Sequence, residues 1–135
     1  MALKACLDTR FYFAHYSREA PSWTKRVVAD GRSGSSLLVS STITVTELVS
    51  SMTPDVGLDA VQLRVDSAKD AGIRLIPPSE EIARHAGEII LKDRDLPMAD
   101  AIIAATAIAH TGGKVYTDDP HFARIPGIQT LWGRT

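Results

Sequence analysis

Short apolar runs alternate along the chain with longer stretches whose apolar residues recur at helical spacing. Leu3 to Leu7 is one run, stopped by Asp8, and Leu37-Leu38-Val39 is a second, ending in Ser40-Ser41-Thr42. Ile73-Arg74-Leu75-Ile76 is stopped by Pro77-Pro78, Val115-Tyr116-Thr117 by Asp118-Asp119-Pro120, and Ile128-Gln129-Thr130-Leu131 follows the turn Ile125-Pro126-Gly127. Runs this short, bounded by turn residues, predict five buried strands. Helices are predicted over Ser22 to Ala29, Leu58 to Ala71 with Gly72 as a stop, Ser79 to Leu91, and Met98 to Thr111 before Gly112-Gly113. Ser79-Glu80-Glu81 places a capping hydroxyl and two acids where a helix presents its unpaired N–H groups. Asp30-Gly31-Arg32-Ser33-Gly34-Ser35-Ser36 reads as a loop. Residues 42–52 carry β-branched side chains that suit a strand, but Val45, Leu48, Val49 and Met52 recur at i, i+3, i+4 and i+7, which predicts a helix with Glu47 off its apolar stripe. Strands alternating with helices imply right-handed crossovers and a mostly parallel sheet covered on both faces, an α/β fold.

Composition narrows this picture without changing it. A chain of 135 residues with 44% hydrophobic and 23% charged residues fits one domain over 1–135 and excludes disordered, collagen-like and coiled-coil classes. Cys6 is alone, so there is no internal disulfide, and no Cys/His spacing suits zinc. A charge at Lys4 interrupts the N-terminus before a signal-peptide core develops, and no apolar run approaches the roughly 20 residues of a membrane span. A cytoplasmic protein with no membrane partner is expected. The net charge of −1 announces no nucleic-acid binder. Four carboxylates sequestered in a metal site would, however, leave the remaining surface weakly basic.

Ligands of open parallel sheets bind beyond the carboxyl ends of the strands. Asp8 and the pair Asp118-Asp119 directly follow strands, either as turn and cap residues or as functional acids; Asp119 before Pro120 also makes a good cap. Asp100 opens the charge-free stretch Ala101-Ile102-Ile103-Ala104-Ala105-Thr106-Ala107-Ile108-Ala109, which reads as a buried helix. A carboxylate there gains from the helix N-terminus, yet its desolvation requires a cation or an open cleft. Glu47 by itself is an ordinary helical glutamate.

Taken together, Leu7-Asp8-Thr9, Thr44-Val45-Thr46-Glu47-Leu48, Leu96-Pro97-Met98-Ala99-Asp100-Ala101-Ile102-Ile103-Ala104-Ala105-Thr106-Ala107 and Val115-Tyr116-Thr117-Asp118-Asp119-Pro120-His121-Phe122 resemble the motifs of PIN-domain ribonucleases, and among them the small VapC-type toxins of toxin–antitoxin pairs. The Asp100 stretch is the most specific of the four. The resemblance implies a three-layer α/β/α fold and a metal-dependent endoribonuclease that hydrolyses RNA phosphodiester bonds. It implies that Asp8, Glu47, Asp100 and Asp119 are catalytic acids converging on Mg²⁺ or Mn²⁺. Asp119 matches the family's fourth position, and Asp118 is an auxiliary metal ligand. Physics agrees with such a design, since carboxylates about 4 Å apart repel by about 4 kcal/mol at an effective dielectric of 20 and all-oxygen sites suit these ions. Thr9 and Thr117 serve either as ligand-supporting hydroxyls or as strand-end caps.

Cys6 reads as a small buried hydrophobe, and His15, His85, His110 and His121 receive no catalytic role, His121 alone lying beside the acidic turn. Five of the eight aromatics, Phe11, Tyr12, Phe13, Tyr16 and Trp23, crowd the segment after Asp8, to fill a core or to line a groove. For the toxins it resembles, the partners are a cognate VapB-type antitoxin and a second copy in a homodimer. Two rivals stand beside this reading. One is a PIN nuclease of RNA or DNA processing without an antitoxin. The other is a receiver-like signalling domain, which would want an acidic pair after the first strand where this chain has Asp8 alone.

Overall fold

The computed structural model describes residues 2–133; Met1, where the N-terminal reading above begins, and positions 134–135 lie outside the described residues. Five strands, β1 (Leu3–Leu7), β2 (Ser36–Ser41), β3 (Arg74–Ile76), β4 (Lys114–Tyr116) and β5 (Gln129–Leu131), form one sheet in the order β3-β2-β1-β4-β5. Every pairing is parallel, with Cys6 opposite Val39 on one side and Val115 on the other. Seven helices among the described residues cover it: α1 (Thr9–His15), α2 (Ser22–Ser33), α3 (Thr42–Val56), α4 (Leu58–Asp70), α5 (Glu80–Lys92), α6 (Met98–Thr111) and α7 (Pro120–Ala123). The α/β/α sandwich with a parallel five-stranded sheet is as the alternation of periods predicts.

Side-chain alternation along β1 separates two cores. Ala5 and Leu7 face a cluster with Phe11, Tyr12, Val27, Leu48, Met52 and Val61, drawn from α1 to α4. Cys6 faces the opposite cluster with Ile82, Ile89, Ile103, Ala104, Ala107 and Phe122, drawn from α5 to α7. Helix α6, without charge from Ala101 to Ala109, lies across the middle of this second layer, against β1, β2 and β4. Its alanines Ala101, Ala104, Ala105 and Ala107 are buried, and side chains this small let a helix approach a sheet closely.

The ambiguous segment is helical, and longer than its periodic core. Ser41 caps α3 by accepting from the Ile43 N–H at 3.2 Å, and the helix ends at Gly57, with Pro54 inside its last turns. The expected loop over residues 30–36 is corrected: α2 continues through Asp30-Gly31-Arg32-Ser33 and stops only at Gly34, where φ is +84°. Gly31 is not a turn residue. A Cβ there would meet Leu38 Cδ1 at 2.7 Å, so its missing side chain lets α2 lie close on β2.

Because β1 lies centrally, the chain leaves it toward β2 on one side while β4 flanks it on the other, which makes the carboxyl ends of β1 and β4 a topological switch point. Asp8 and the turn 117–119 emerge there.

Candidate active site

Asp8 follows β1 at the N-cap position of α1 without making a side-chain cap hydrogen bond. Its carboxylate is 2% exposed and accepts a hydrogen bond from the Thr117 hydroxyl at 2.7 Å. Thr117 follows β4, and its own oxygen also accepts from the Asp119 N–H at 3.1 Å, so one threonine links the turns beyond β1 and β4. Asp119 does act as a cap: Oδ1 accepts from the His121 N–H at 3.0 Å and lies 2.7 Å from His121 Nδ1. The cap reading therefore holds for Asp119. Asp8 occupies the N-cap position of α1, and the backbone N–H groups of Thr9 and Arg10 favour its charged form.

Glu47 reaches the site from α3. The Thr9 hydroxyl donates to its Oε1 at 2.6 Å and lies 3.1 Å from the buried Thr44 hydroxyl. Glu47 is half-buried and turned toward α1, as its place off the apolar stripe predicts. Asp100 stands in the first turn of α6, whose N-cap is Pro97. It feels the charges of Asp8, Asp119 and Glu47, so the four acids on four separate elements share one electrostatic neighbourhood.

That neighbourhood disfavours negative charge. Burial lifts the Asp100 carboxyl to about 7, with the neighbouring carboxylates adding to the rise and His121 opposing it. Burial lifts Asp8 to about 6; the Thr117 hydroxyl pulls it back and the charge of Glu47 pushes it further up. Asp119 goes the other way: burial works against its charge, but hydrogen bonds from His121 and the charges of His121 and Arg10 hold it below its ordinary value.

One ligand atom from each of Asp100, Asp119 and His121 falls within 4.8 Å of the others. An ion with bonds of about 2.1 Å to oxygen nearly fills that span. Carboxylate oxygens with one imidazole make a donor set suited to a hard or borderline divalent cation. Such an ion would also offset the burial and the repulsion that raise Asp8 and Asp100. Asp118 is turned elsewhere, accepting from Arg10 Nε in an ion pair.

Two neighbours of the acids escaped the sequence reading. The contact of His121 with Asp119 had a local signal in Asp-Pro-His, where a capping aspartate meets the residue two positions on. Arg10 had none, because its partner is 108 residues away in sequence. Cys6 is fully buried, and burial pushes its thiol up, away from the thiolate a nucleophile needs. The aromatic segment divides: Phe11 and Tyr12 lie in the core, Tyr16 and Trp23 are half-buried, and Phe13 is exposed. Phe11 packs within 6.0 Å of the rings of Tyr12, Trp23 and Tyr116.

The same architecture recurs in known structures. VapBC2 from Rickettsia felis bound to a DNA fragment from its promoter matches over 96% of this chain and 98% of that one, with a TM-score of 0.78 and 18% identity. DNA-bound VapBC from Salmonella typhimurium matches over 96% and 98%, with a TM-score of 0.72 and 22% identity. The sarcin-ricin-loop-cleaving toxin VapC20 of Mycobacterium tuberculosis matches over 93% and 98%, with a TM-score of 0.69 and 17% identity. At these identities the likeness is one of fold. Among curated proteins none matches the chain. The family model for the PIN domain matches residues 5–128, nearly the whole of the sandwich and all four acid-bearing positions, and the chain belongs to the PIN domain family.

Proposed function

We infer that this protein is a metal-dependent endoribonuclease and the toxin half of a toxin–antitoxin pair, acting in the cytoplasm. The observation that carries the reading is the group of ligand atoms from Asp100, Asp119 and His121 within 4.8 Å of one another at the carboxyl edge of a PIN fold, with the charges of Asp8 and Glu47 also acting on Asp100. The fold likeness to VapBC complexes and to an RNA-cleaving toxin supports the toxin assignment, a VapB-type antitoxin as partner and RNA as substrate. A homodimer accompanies this reading as the family's usual assembly.

Asp8, Glu47, Asp100 and Asp119 are the residues proposed to hold Mg²⁺ or Mn²⁺ and to carry catalysis. Such an ion, when bound, would supply a nucleophilic water at neutral pH and stabilise charge on the phosphate. The chain's own contribution is position. Thr117 fixes the Asp8 carboxylate, Thr9 fixes Glu47, and the His121 N–H fixes Asp119, so three of the four acids are oriented by a neighbour before a ligand arrives. Asp100, raised by its surroundings, gains most from a cation.

Purified protein incubated with total cellular RNA in EDTA, Mg²⁺ or Mn²⁺, with the cut ends mapped, tests this directly. Discrete internal cuts are expected with the ions and none in EDTA, and Asp100→Asn should reduce cutting at least a hundredfold, roughly the loss of a group acting only in the transition state. Uncut RNA under all three conditions, or cutting unchanged in Asp100→Asn, refutes the reading.

A further inference from the structure

A cation bridges the two acid-bearing turns. Arg10 stands in the first turn of α1, two residues after Asp8, and its Nε donates to Oδ1 of Asp118, the residue before Asp119. The pair therefore spans the switch point from the β1 side to the β4 side. Its side chains are 51% and 36% exposed, which puts it at the mouth of the cluster, in water, whereas Asp8 is buried on the floor. Asp8 and Asp119 both act on the Arg10 charge, and Asp119 is held down partly by it.

Exposed ion pairs contribute little to stability, so the Arg10–Asp118 pair is poorly explained as a brace of the fold. A guanidinium engaged through Nε still carries the N–H donors of its terminal nitrogens, in a planar fork that matches phosphate. A phosphodiester chain approaching four carboxylates is repelled unless a cation at the rim receives it, and the net charge of −1 supplies no general basic face. We propose that Arg10 binds a backbone phosphate of the RNA entering the acid cluster, and that Asp118 positions the guanidinium for this rather than ligating metal. The proposal rests on the nuclease reading above and specifies the substrate contact of that same site.

Binding of a labelled single-stranded RNA oligonucleotide, followed by anisotropy in EDTA across a salt series, separates the two. Arg10→Ala should weaken binding roughly tenfold and reduce the slope of log affinity against log salt by about 0.7, the loss of one phosphate contact on a single strand. Arg10→Lys should restore the slope but not the full affinity, since an ammonium lacks the fork. In cleavage assays Asp118→Asn should raise KM for RNA several-fold while kcat and the Mn²⁺ concentration for half-maximal rate stay unchanged. An Arg10→Ala protein of unaltered melting temperature that keeps the parent's affinity and salt slope overturns the proposal. So does an Asp118→Asn protein that needs tenfold more Mn²⁺ at unchanged RNA affinity. If the parent chain shows the Arg10-dependent slope yet cuts no RNA with either ion, the nuclease reading falls while the phosphate contact stands.

Discussion

Asp8 and Asp100 are carboxyl groups whose surroundings oppose their ionisation, and this gives the metal-free protein an unusual pH dependence. Their folded-state values, about 6 and about 7, lie above the ordinary 3.8, so in that window the native state binds more protons than the unfolded chain. Stability from these two groups is therefore complete below pH 3.8 and lost as pH rises toward 7. The lowered Asp119 contributes in the opposite sense, but its gain is complete above its unfolded value and so is constant through the window. His15, lowered by burial, opposes the trend only as it gives up its proton. In EDTA the melting temperature should fall as pH rises from about 5 to about 7.5, a trend that Asp100→Asn flattens and that Mn²⁺ cancels, because the ion takes the deprotonated ligands. Asp100→Asn should also match or exceed the parent's melting temperature at pH 7.5 in EDTA, since it removes one of several like charges. A clear loss of stability there would show Asp100 to be a structural residue.

The elements hold the acids in place through backbone contacts that individual side chains do not reveal. Gly113 joins α6 to β4, the two elements that carry Asp100 and Thr117, with φ at +88° and its carbonyl accepting from the Gln129 N–H at 2.8 Å. A Cβ at this position would lie 1.8 Å from the Gly127 carbonyl oxygen. Gly113→Ala should cost at least about 2 kcal/mol in urea unfolding, from backbone strain and the clash together. Ser79→Ala removes only the α5 cap, the hydrogen bond from the Ile82 N–H at 3.2 Å, and should cost about 1 kcal/mol with no effect on RNA cleavage. Equal losses from the two would mean that the α6–β4 turn relaxes around the new methyl. Most of this layout was legible in the sequence, because strand runs, caps and the charge-free stretch of α6 are local patterns written in consecutive residues. The stripe Val45, Leu48, Val49 and Met52 placed Glu47 correctly because helical facing depends only on spacing. What stayed hidden depends on distant packing. Gly31 mimics a loop signal but serves a close approach of α2 to Leu38, and the Arg10–Asp118 and Thr9–Glu47 contacts join segments that only the sheet order brings together.

At the scale of the whole molecule, the fold divides the aromatic segment after Asp8 between interior and surface. Tyr12, with 3% exposure and its hydroxyl 2.8 Å from Ser40 Oγ, belongs to the core and cannot meet a partner. Phe13 is 38% exposed, and with Tyr16, Met52, Val56 and Arg64 it lines a hollow between α1, α3 and α4. Arg64 lies over the Tyr16 ring at 4.8 Å, and Arg18 and Asp55 complete the lining, so the hollow combines apolar side chains with two cations and one acid. An antitoxin segment of the proposed toxin reading would suit it if it carried an apolar anchor beside an acid, since buried aromatic anchors dominate such interfaces. The hollow opens beside α1 and α3, the helices that present Arg10 and Glu47, so a chain laid along it passes close to the acids and could set a basic side chain among them. Phe13→Ala should therefore weaken the affinity of the cognate antitoxin about tenfold, equivalent to about 1.4 kcal/mol, and relieve its inhibition of RNA cleavage in proportion. Its melting temperature should stay within about 2 °C of the parent's, because Phe13 lies outside both buried core clusters. Tyr12→Ala, by contrast, should lower the melting temperature first and reach the antitoxin only through the damaged fold. Titration calorimetry that finds Phe13→Ala binding as tightly as the parent would place the antitoxin on another face.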